Sequence, residues 1–245
     1  NNSFPVFINE FWTSKQRQAN SIHEVSYRAC FKPQLPRFFI NLFTETGDWV
    51  YDPFNGRGTT IIEGAIHGRN VIANDVNPLS IILTRPRISP PPYHDIEKRL
   101  DEICFEKRAN EDGDLSMFYH KNTLAEIVSL KKYLQNRLEA KIEDDADRWI
   151  RMVATNRLTG HSKGFFSVYT LPPNQAVSPA RQIQINRKRN QKPEYRDIKK
   201  LILRKTKALL KNSSELNKKK IISVFLNGDA ATTKKIKSNS VALTV

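Results

Sequence analysis

The sequence predicts an α/β fold: a parallel sheet flanked by helices and interrupted by a mostly helical, basic insert. Three observations predict it. Strand-like and helix-like segments alternate at both ends of the chain, the pattern of a parallel sheet. Three of the strand-like segments run into an acid, at Asp52, Asp75 and Asp229. One stretch, Arg181 to Lys220, holds 15 Lys or Arg against 3 acids, whereas Asp95 to Ile150 holds 10 basic and 14 acidic residues.

Taken in order, Asn1 to Asn20 is polar with scattered aromatics (Phe4, Phe7, Phe11, Trp12) and reads as an arm that packs on something. Leu35, Phe38, Phe39 and Leu42 fall at helical spacing, with Pro36 early enough for a first turn. Gly47-Asp48 marks a turn before the short strand Trp49-Val50-Tyr51, which runs into Asp52. Thr59 to His67 reads as a helix closed by Gly68, and Asn70 to Asn74 as a second strand. Ser80 to Leu83 begins a helix that Pro86 is expected to break. Ser89-Pro90-Pro91-Pro92-Tyr93 reads as a rigid linker. Helices are expected over Asp95 to Ala109, Leu124 to Leu138 and Asp144 to Leu158. Thr159 to Pro179 is loop-like, and the basic block reads as helix from Pro193. Ile221 to Leu226, β-branched and aromatic, reads as a buried strand, and Ser240 to Val245 as another. The expected divisions are 1–94 (arm and first half of the sheet), 95–220 (helical insert) and 221–245 (return to the sheet).

With 39% hydrophobic and 27% charged residues, the 245-residue chain has the balance of a globular protein rather than a disordered one. No apolar run approaches the ~18–20 residues of a membrane span, so no membrane partner is expected. Cys30 and Cys104 make no disulfide framework or metal-ligand pair, so a reducing cytoplasm is expected. His23, His67, His94 and His120 are too dispersed to suggest a metal site. His161 and Ser162 have no acid partner in view for a hydrolytic triad. The net charge of +15 is concentrated in Arg181–Lys220. Such a block attracts phosphate, so nucleic acid is the expected partner, with a solvated helix face as the bland alternative.

The strongest local signal is Asp52-Pro53-Phe54-Asn55-Gly56-Arg57-Gly58-Thr59-Thr60. It follows a strand and opens a helix, so free N–H groups face a ligand that the glycines allow to come close. The loop lacks the third glycine of a dinucleotide fingerprint and the lysine of a phosphate loop. An acid at its head would repel a pyrophosphate but suits a positively charged ligand.

These residues resemble the cofactor loop of amino-methylating DNA methyltransferases, Asp-Pro-Phe-x-Gly-x-Gly-Thr-Thr, at all seven defined positions. Upstream, Phe31-Lys32-Pro33 opens a segment that resembles the one closing over the methionine end of the cofactor. Trp149 to Arg157, Leu158-Thr159-Gly160-His161-Ser162 and Thr170-Leu171-Pro172-Pro173-Asn174-Gln175 look like a subgroup of bacterial site-specific enzymes. The resemblance implies a Rossmann-like class I methyltransferase sheet, present in part, and S-adenosyl-L-methionine as cofactor. It implies that Asp52 lies near the sulfonium and the ammonium, and that Gly56 and Gly58 admit the methionine backbone. Pro53, Phe54, Thr59 and Thr60 complete that loop. Asp75 takes the ribose hydroxyls, and Asn77 and Asp229 lie on the adenine side; Asp229 is alternatively a turn residue.

The implied substrate is double-stranded DNA, methylated on cytosine N4 in preference to adenine N6, in a bacterial or archaeal cytoplasm. Arg181, Arg187, Lys188, Arg189, Lys192, His161 and Ser162 are the candidate DNA contacts. The family's catalytic Ser/Asp-Pro-Pro-aromatic motif is expected just after Val245. Ser89–Tyr93 has one proline too many and no strand ahead of it. A second chain carrying the rest of the sheet and a cognate restriction endonuclease are the partners that the resemblance leaves room for. Two alternatives stay open: a non-catalytic cofactor- and DNA-binding half of a split enzyme, and an RNA methyltransferase.

Overall fold

The computed structural model describes residues 8, 19–27, 30–106, 113–172, 175–213, 216 and 220–245. The aromatic arm expected before residue 19, the end of the helix expected to reach Ala109, and Pro173-Asn174 lie outside them. The chain runs α1 (Gln34–Phe43), β1 (Trp49–Asp52), α2 (Thr59–Ile66), β2 (Asn70–Asp75), α3 (Leu79–Ile88), α4 (Tyr93–Glu102), α5 (Lys121–Glu139), α6 (Asp145–Arg157), α7 (Pro179–Lys188), α8 (Ile198–Leu210), β3 (Ser223–Asn227) and β4 (Leu243–Thr244).

The four strands form one parallel sheet in the order β3-β2-β1-β4. The α/β reading therefore holds, and β1 neighbours β4. Val50, Val71 and Ala73 are buried, as the middle of a parallel sheet covered on both faces demands. The strands all leave at the same end, so the residues after β1, β2 and β3 lie side by side there, where open α/β sheets bind their ligands.

The helices beyond residue 94 share a core with the sheet. Trp149 and Ile150 of α6 and Ile198 and Ile202 of α8 are fully buried. They belong to one apolar cluster with Ile61, Ile62 and Val71. The Trp149 indole donates to Thr206 Oγ1 at 3.0 Å, so its single polar atom is satisfied inside the core. Helix α6 starts on a reciprocal capping box between Asp144 and Asp147. No described helix is long and apolar enough to cross a membrane.

Several expectations at element level need correction. Pro86 does not break α3, which continues to Ile88. A proline this close to a C-terminus removes only one backbone bond. The fully buried Arg87 then ties the last turn down, donating to Leu83 O at 2.7 Å and Ile22 O at 3.1 Å. Helix α4 ends at Glu102. A helix absent from the sequence reading, α7, begins where Ser178 caps Arg181 N and Pro179 takes the first turn. Helix α8 starts at Ile198 rather than Pro193, because Asp197 caps Lys200 N at 2.9 Å. Strand β3, expected to be buried, is an edge strand whose ends are exposed. Strand β4 has two residues rather than six.

Candidate functional site

The site is built on the leaving ends of β1, β2 and β3. Asp52, the last residue of β1, is 5% exposed. Burial pushes its carboxyl up to about 6, against the Thr60 hydroxyl and the Phe54 amide, the latter donating to Asp52 Oδ1 at 3.0 Å; the nearby Asp75 charge pushes it the same way as burial. A buried carboxylate whose two hydrogen bonds do not offset its burial is a ready counter-charge for a cation.

Asp75 ends β2 and accepts two amides, Gly56 N at 2.8 Å and Asn77 N at 2.9 Å. Each of its oxygens takes one, which leaves further lone pairs for hydroxyl donors. The Asn77 side chain in turn accepts Leu79 N at 3.0 Å and starts α3. Beyond β3, Gly228 N donates to Asp75 O at 3.1 Å, which brings the Gly228-Asp229 turn beside β2. Asp229 is exposed and its carboxylate accepts Ala231 N at 3.0 Å, so it serves as a turn residue beside the end of β2.

The glycine loop is held by residues that the motif does not single out as ligands. Gly56 and Gly58 have φ of +53° and +82°. The Asn55 side chain donates to Ser80 Oγ at 2.6 Å and Thr84 Oγ1 at 2.8 Å, pinning the loop to α3. A Cβ on Gly58 would run into the Thr84 side chain. Gly58→Ala should therefore cost at least the ~1–3 kcal/mol of a left-handed non-glycine residue, with a steric term on top. Urea unfolding followed by circular dichroism measures it, and an unchanged midpoint would contradict it. Two buried polar atoms around the loop, Asn55 Oδ1 and Asn74 Oδ1, have no hydrogen-bond partner among the described residues. Buried acceptors of this kind seldom stay unpaired; they fit a ligand rich in donors. Thr59 and Thr60 are buried in the first turn of α2.

The remaining expected residues are placed as follows. Pro53 borders the loop, and Phe54 stands 78% exposed above it. Phe31, Lys32 and Pro33 lead directly into α1. Tyr27 is the upstream residue that meets the loop, its ring 3.2 Å from where a Cβ on Gly56 would sit. Arg181, Arg187, Lys188, Arg189 and Lys192 are exposed on α7 and just beyond it, and none of them is in an ion pair among the described residues. His161 and Ser162 are exposed in the loop before α7. That loop is joined to α7 by Gln182, which donates to Tyr169 O at 2.9 Å, and by Arg189, 3.7 Å over the Tyr169 ring.

Ser89–Tyr93 is removed from all of this. Ser89 to Pro92 share a cavity with Ile221 and Ser223, at the entering end of β3. The acids sit at the leaving end, four residues along that strand, on the order of 13 Å away. Ser89–Pro92 join α3 to α4, and Tyr93, expected in the linker, is instead the first residue of α4.

Residues 2–82 match a family model described as DNA methylase. Over 198 residues the chain is 24% identical to the Type II methyltransferase M.MvaI of Kocuria varians, covering 71% of this chain and 41% of that protein. It is 29% identical over 86 residues to the Type II methyltransferase M.MjaII of Methanocaldococcus jannaschii, 35% of this chain and 16% of that one. It is 32% identical over 74 residues to the Type II methyltransferase M.MthZI of Methanothermobacter thermautotrophicus, 29% of this chain and 21% of that one. The chain thus spans about two fifths of the first relative's length and less of the other two. The family match over residues 2–82 and these relatives carry the resemblance first read from Asp52–Thr60: the chain is similar to the amino-methylating DNA methyltransferases.

Proposed function

We propose that this chain is the cofactor- and DNA-binding portion of a site-specific DNA methyltransferase that uses S-adenosyl-L-methionine and modifies an exocyclic amino nitrogen, cytosine N4 in preference to adenine N6. The observation that carries the reading is the row of acids at adjacent strand ends, with the buried, weakly stabilised Asp52 carboxylate beside the two glycines of positive φ. S-adenosyl-L-methionine supplies a methyl group on a positively charged sulfur. Asp52 balances that charge, Asp75 accepts the ribose hydroxyls, and Asn77 and Asp229 border the adenine side. Phe31–Pro33 lie on the methionine side. Residues 95–220 form the DNA-contacting insert. Incubation of the chain with radiolabelled cofactor and duplex DNA, followed by nucleoside analysis, separates N4-methylcytosine from N6-methyladenine. Absence of cofactor binding by calorimetry would refute the reading.

One observation favours a second reading, in which a partner segment completes catalysis. The Ser89–Pro92 run is at the wrong end of the sheet, while α1 leaves Phe39, Leu42 and Phe43 exposed. Cofactor binding without methyl transfer is the result expected of such a half, and methylation by this chain unaided is the result that excludes it.

The Asp52 environment sets a pH dependence. Cation binding favours the ionised carboxylate, whose free pKa is about 6. Cofactor affinity should therefore be constant above pH 7 and fall by nearly tenfold per unit below about pH 6, with protons taken up on release. Asp52→Asn should flatten the profile. Calorimetry from pH 5 to 8 in buffers of different ionisation enthalpy measures both.

A further inference from the structure

Four separate pieces of chain enclose an open cavity of about 480 Å³ beside the glycine loop. They are Glu24–Tyr27, Arg57 of the loop itself, Arg157 with Phe165, and Lys205 of α8. Among the described residues, three cations line it against one acid. Glu24 is exposed and meets Lys205 only loosely, at 3.5 Å. Arg57 donates to Val25 O at 3.0 Å and Thr59 Oγ1 at 3.2 Å. Arg157 lies 4.2 Å over the Phe165 ring and donates to Asn156 Oδ1 at 2.8 Å, yet its buried Nε has no partner among the described residues. Arg204, next along α8, adds a further charge and donates to Lys163 O at 3.4 Å.

These cations are partly buried and short of counter-charge. Burial lowers the pKa of Arg157, and repulsion from Arg204 lowers it further; burial and then repulsion from Arg157 lower that of Lys205. A cluster of this kind gains when an anion with several acceptor oxygens enters, and guanidinium groups match a phosphate in a forked geometry. The surroundings point to a polymer. The His161 ring lies 6.1 Å from Phe165, on the loop that continues to Tyr169 and the bare basic face of α7. On the loop side, Arg57 stands between Gly56 and Gly58.

We propose that this cavity seats a backbone phosphate of the bound DNA and so sets the strand's position relative to the cofactor loop, with Arg157 and Lys205 as its anchors. The proposal rests on the DNA methyltransferase reading above. It places the strongest phosphate contact in this cavity rather than on the exposed Arg187-Lys188-Arg189 run.

The test uses the full chain and a fluorescent duplex, with anisotropy titrations over a range of salt. Arg157→Gln with Lys205→Gln should weaken DNA binding by about tenfold or more, and make the log–log salt slope shallower by roughly 0.9, one phosphate's worth. Lys205→Gln alone should give part of the effect should the double variant fold poorly. Arg157→Lys should keep most of the slope, and Lys207→Gln, a cation of the same helix placed against Tyr93, should change neither quantity. Calorimetry with S-adenosyl-L-methionine should give the wild-type affinity for every variant. Wild-type DNA binding that survives the double substitution with its slope intact overturns the proposal and leaves the functional reading standing. Loss of cofactor affinity in Lys205→Gln also overturns it, because the cavity would then serve the cofactor's carboxylate. A wild-type chain that binds neither ligand refutes the functional reading, and this proposal falls with it.

Discussion

Asp52→Asn is expected to weaken cofactor binding strongly while making the empty chain more stable. The wild-type carboxylate is 5% exposed, and burial holds its pKa near 6. Ionised at neutral pH, it is a cost to the apo fold. The sign follows from linkage. A carboxyl raised in the folded state binds protons more tightly there than in the unfolded chain, so stability falls as pH rises from the unfolded value toward and past about 6. Removing the charge should recover up to ~2 kcal/mol at pH 7 and little at pH 4. The Phe54 amide keeps an oxygen acceptor in the asparagine. The cofactor's cation, however, loses its buried partner, worth roughly 1.5–3 kcal/mol as a charged hydrogen bond and more where water is excluded. Calorimetry should show at least a ten- to hundredfold weaker affinity, and thermal unfolding at pH 7 a raised midpoint. A variant that binds as the wild type does would remove Asp52 from the site.

Glu63→Ala is expected to be the most destabilising single substitution near the site. Glu63 is fully buried on α2. It accepts from His23 Nε2 at 2.7 Å and from Arg37 Nε at 2.8 Å, with His67 3.6 Å away. Through these contacts it ties α1 and the Ser21–His23 turn to the helix that opens at the glycine loop. Burial works to raise its carboxyl, but the hydrogen bonds from His23 and Arg37, with His67 close by, outweigh it and hold it well below the usual carboxylate range. Burial keeps His23 below its ordinary pKa, so at neutral pH the charge facing Glu63 is that of Arg37. Breaking a buried pair by removing one partner costs ~3–5 kcal/mol, a fall on the order of 10 °C in Tm for a chain of this length. The pH sign is opposite to that of Asp52. Glu63's contribution is complete above its ordinary pKa of about 4.3 and is lost as pH falls further. Calorimetric scans at pH 7 and pH 3 should show the wild type and Glu63→Ala converging in acid. Equal midpoints at pH 7 would show that the cluster holds nothing together.

The structure explains why some of the site was legible in the sequence. The segment Asp52–Thr60 is chemistry of short range. A strand residue, two glycines that tolerate positive φ and a helix start are all set within nine positions, and local backbone physics places them alike in any sheet. The strand-end positions of Asp75 and Asp229 were legible for the same reason, as the first acids after apolar strands. Helix α7 was not, because its apolar face is slight: Gln182 is its one buried residue, so it shows little periodicity, and its start rests on the cap at Ser178. The buried character expected for β3 failed because an apolar run reads the same at a sheet edge as in its middle.

The sequence by itself determined the α/β class, the parallel strands with acids at their leaving ends, the glycine loop and the concentration of positive charge. Each follows from residue periodicity, backbone preference or composition, which act over a few neighbours. Only the tertiary structure decided the order β3-β2-β1-β4, which sets the three acids side by side, and the position of Ser89–Tyr93 at the far end of the sheet. It alone brought His23 and Arg37 onto Glu63, and Glu24 to Lys205 across 181 positions at the edge of a basic cavity. Burial of the apolar faces of α2, α3, α6 and α8 in one core fixes which distant polar groups meet. Hydrophobic packing is insensitive to which charges it carries along with it, so no local pattern in the chain records those meetings.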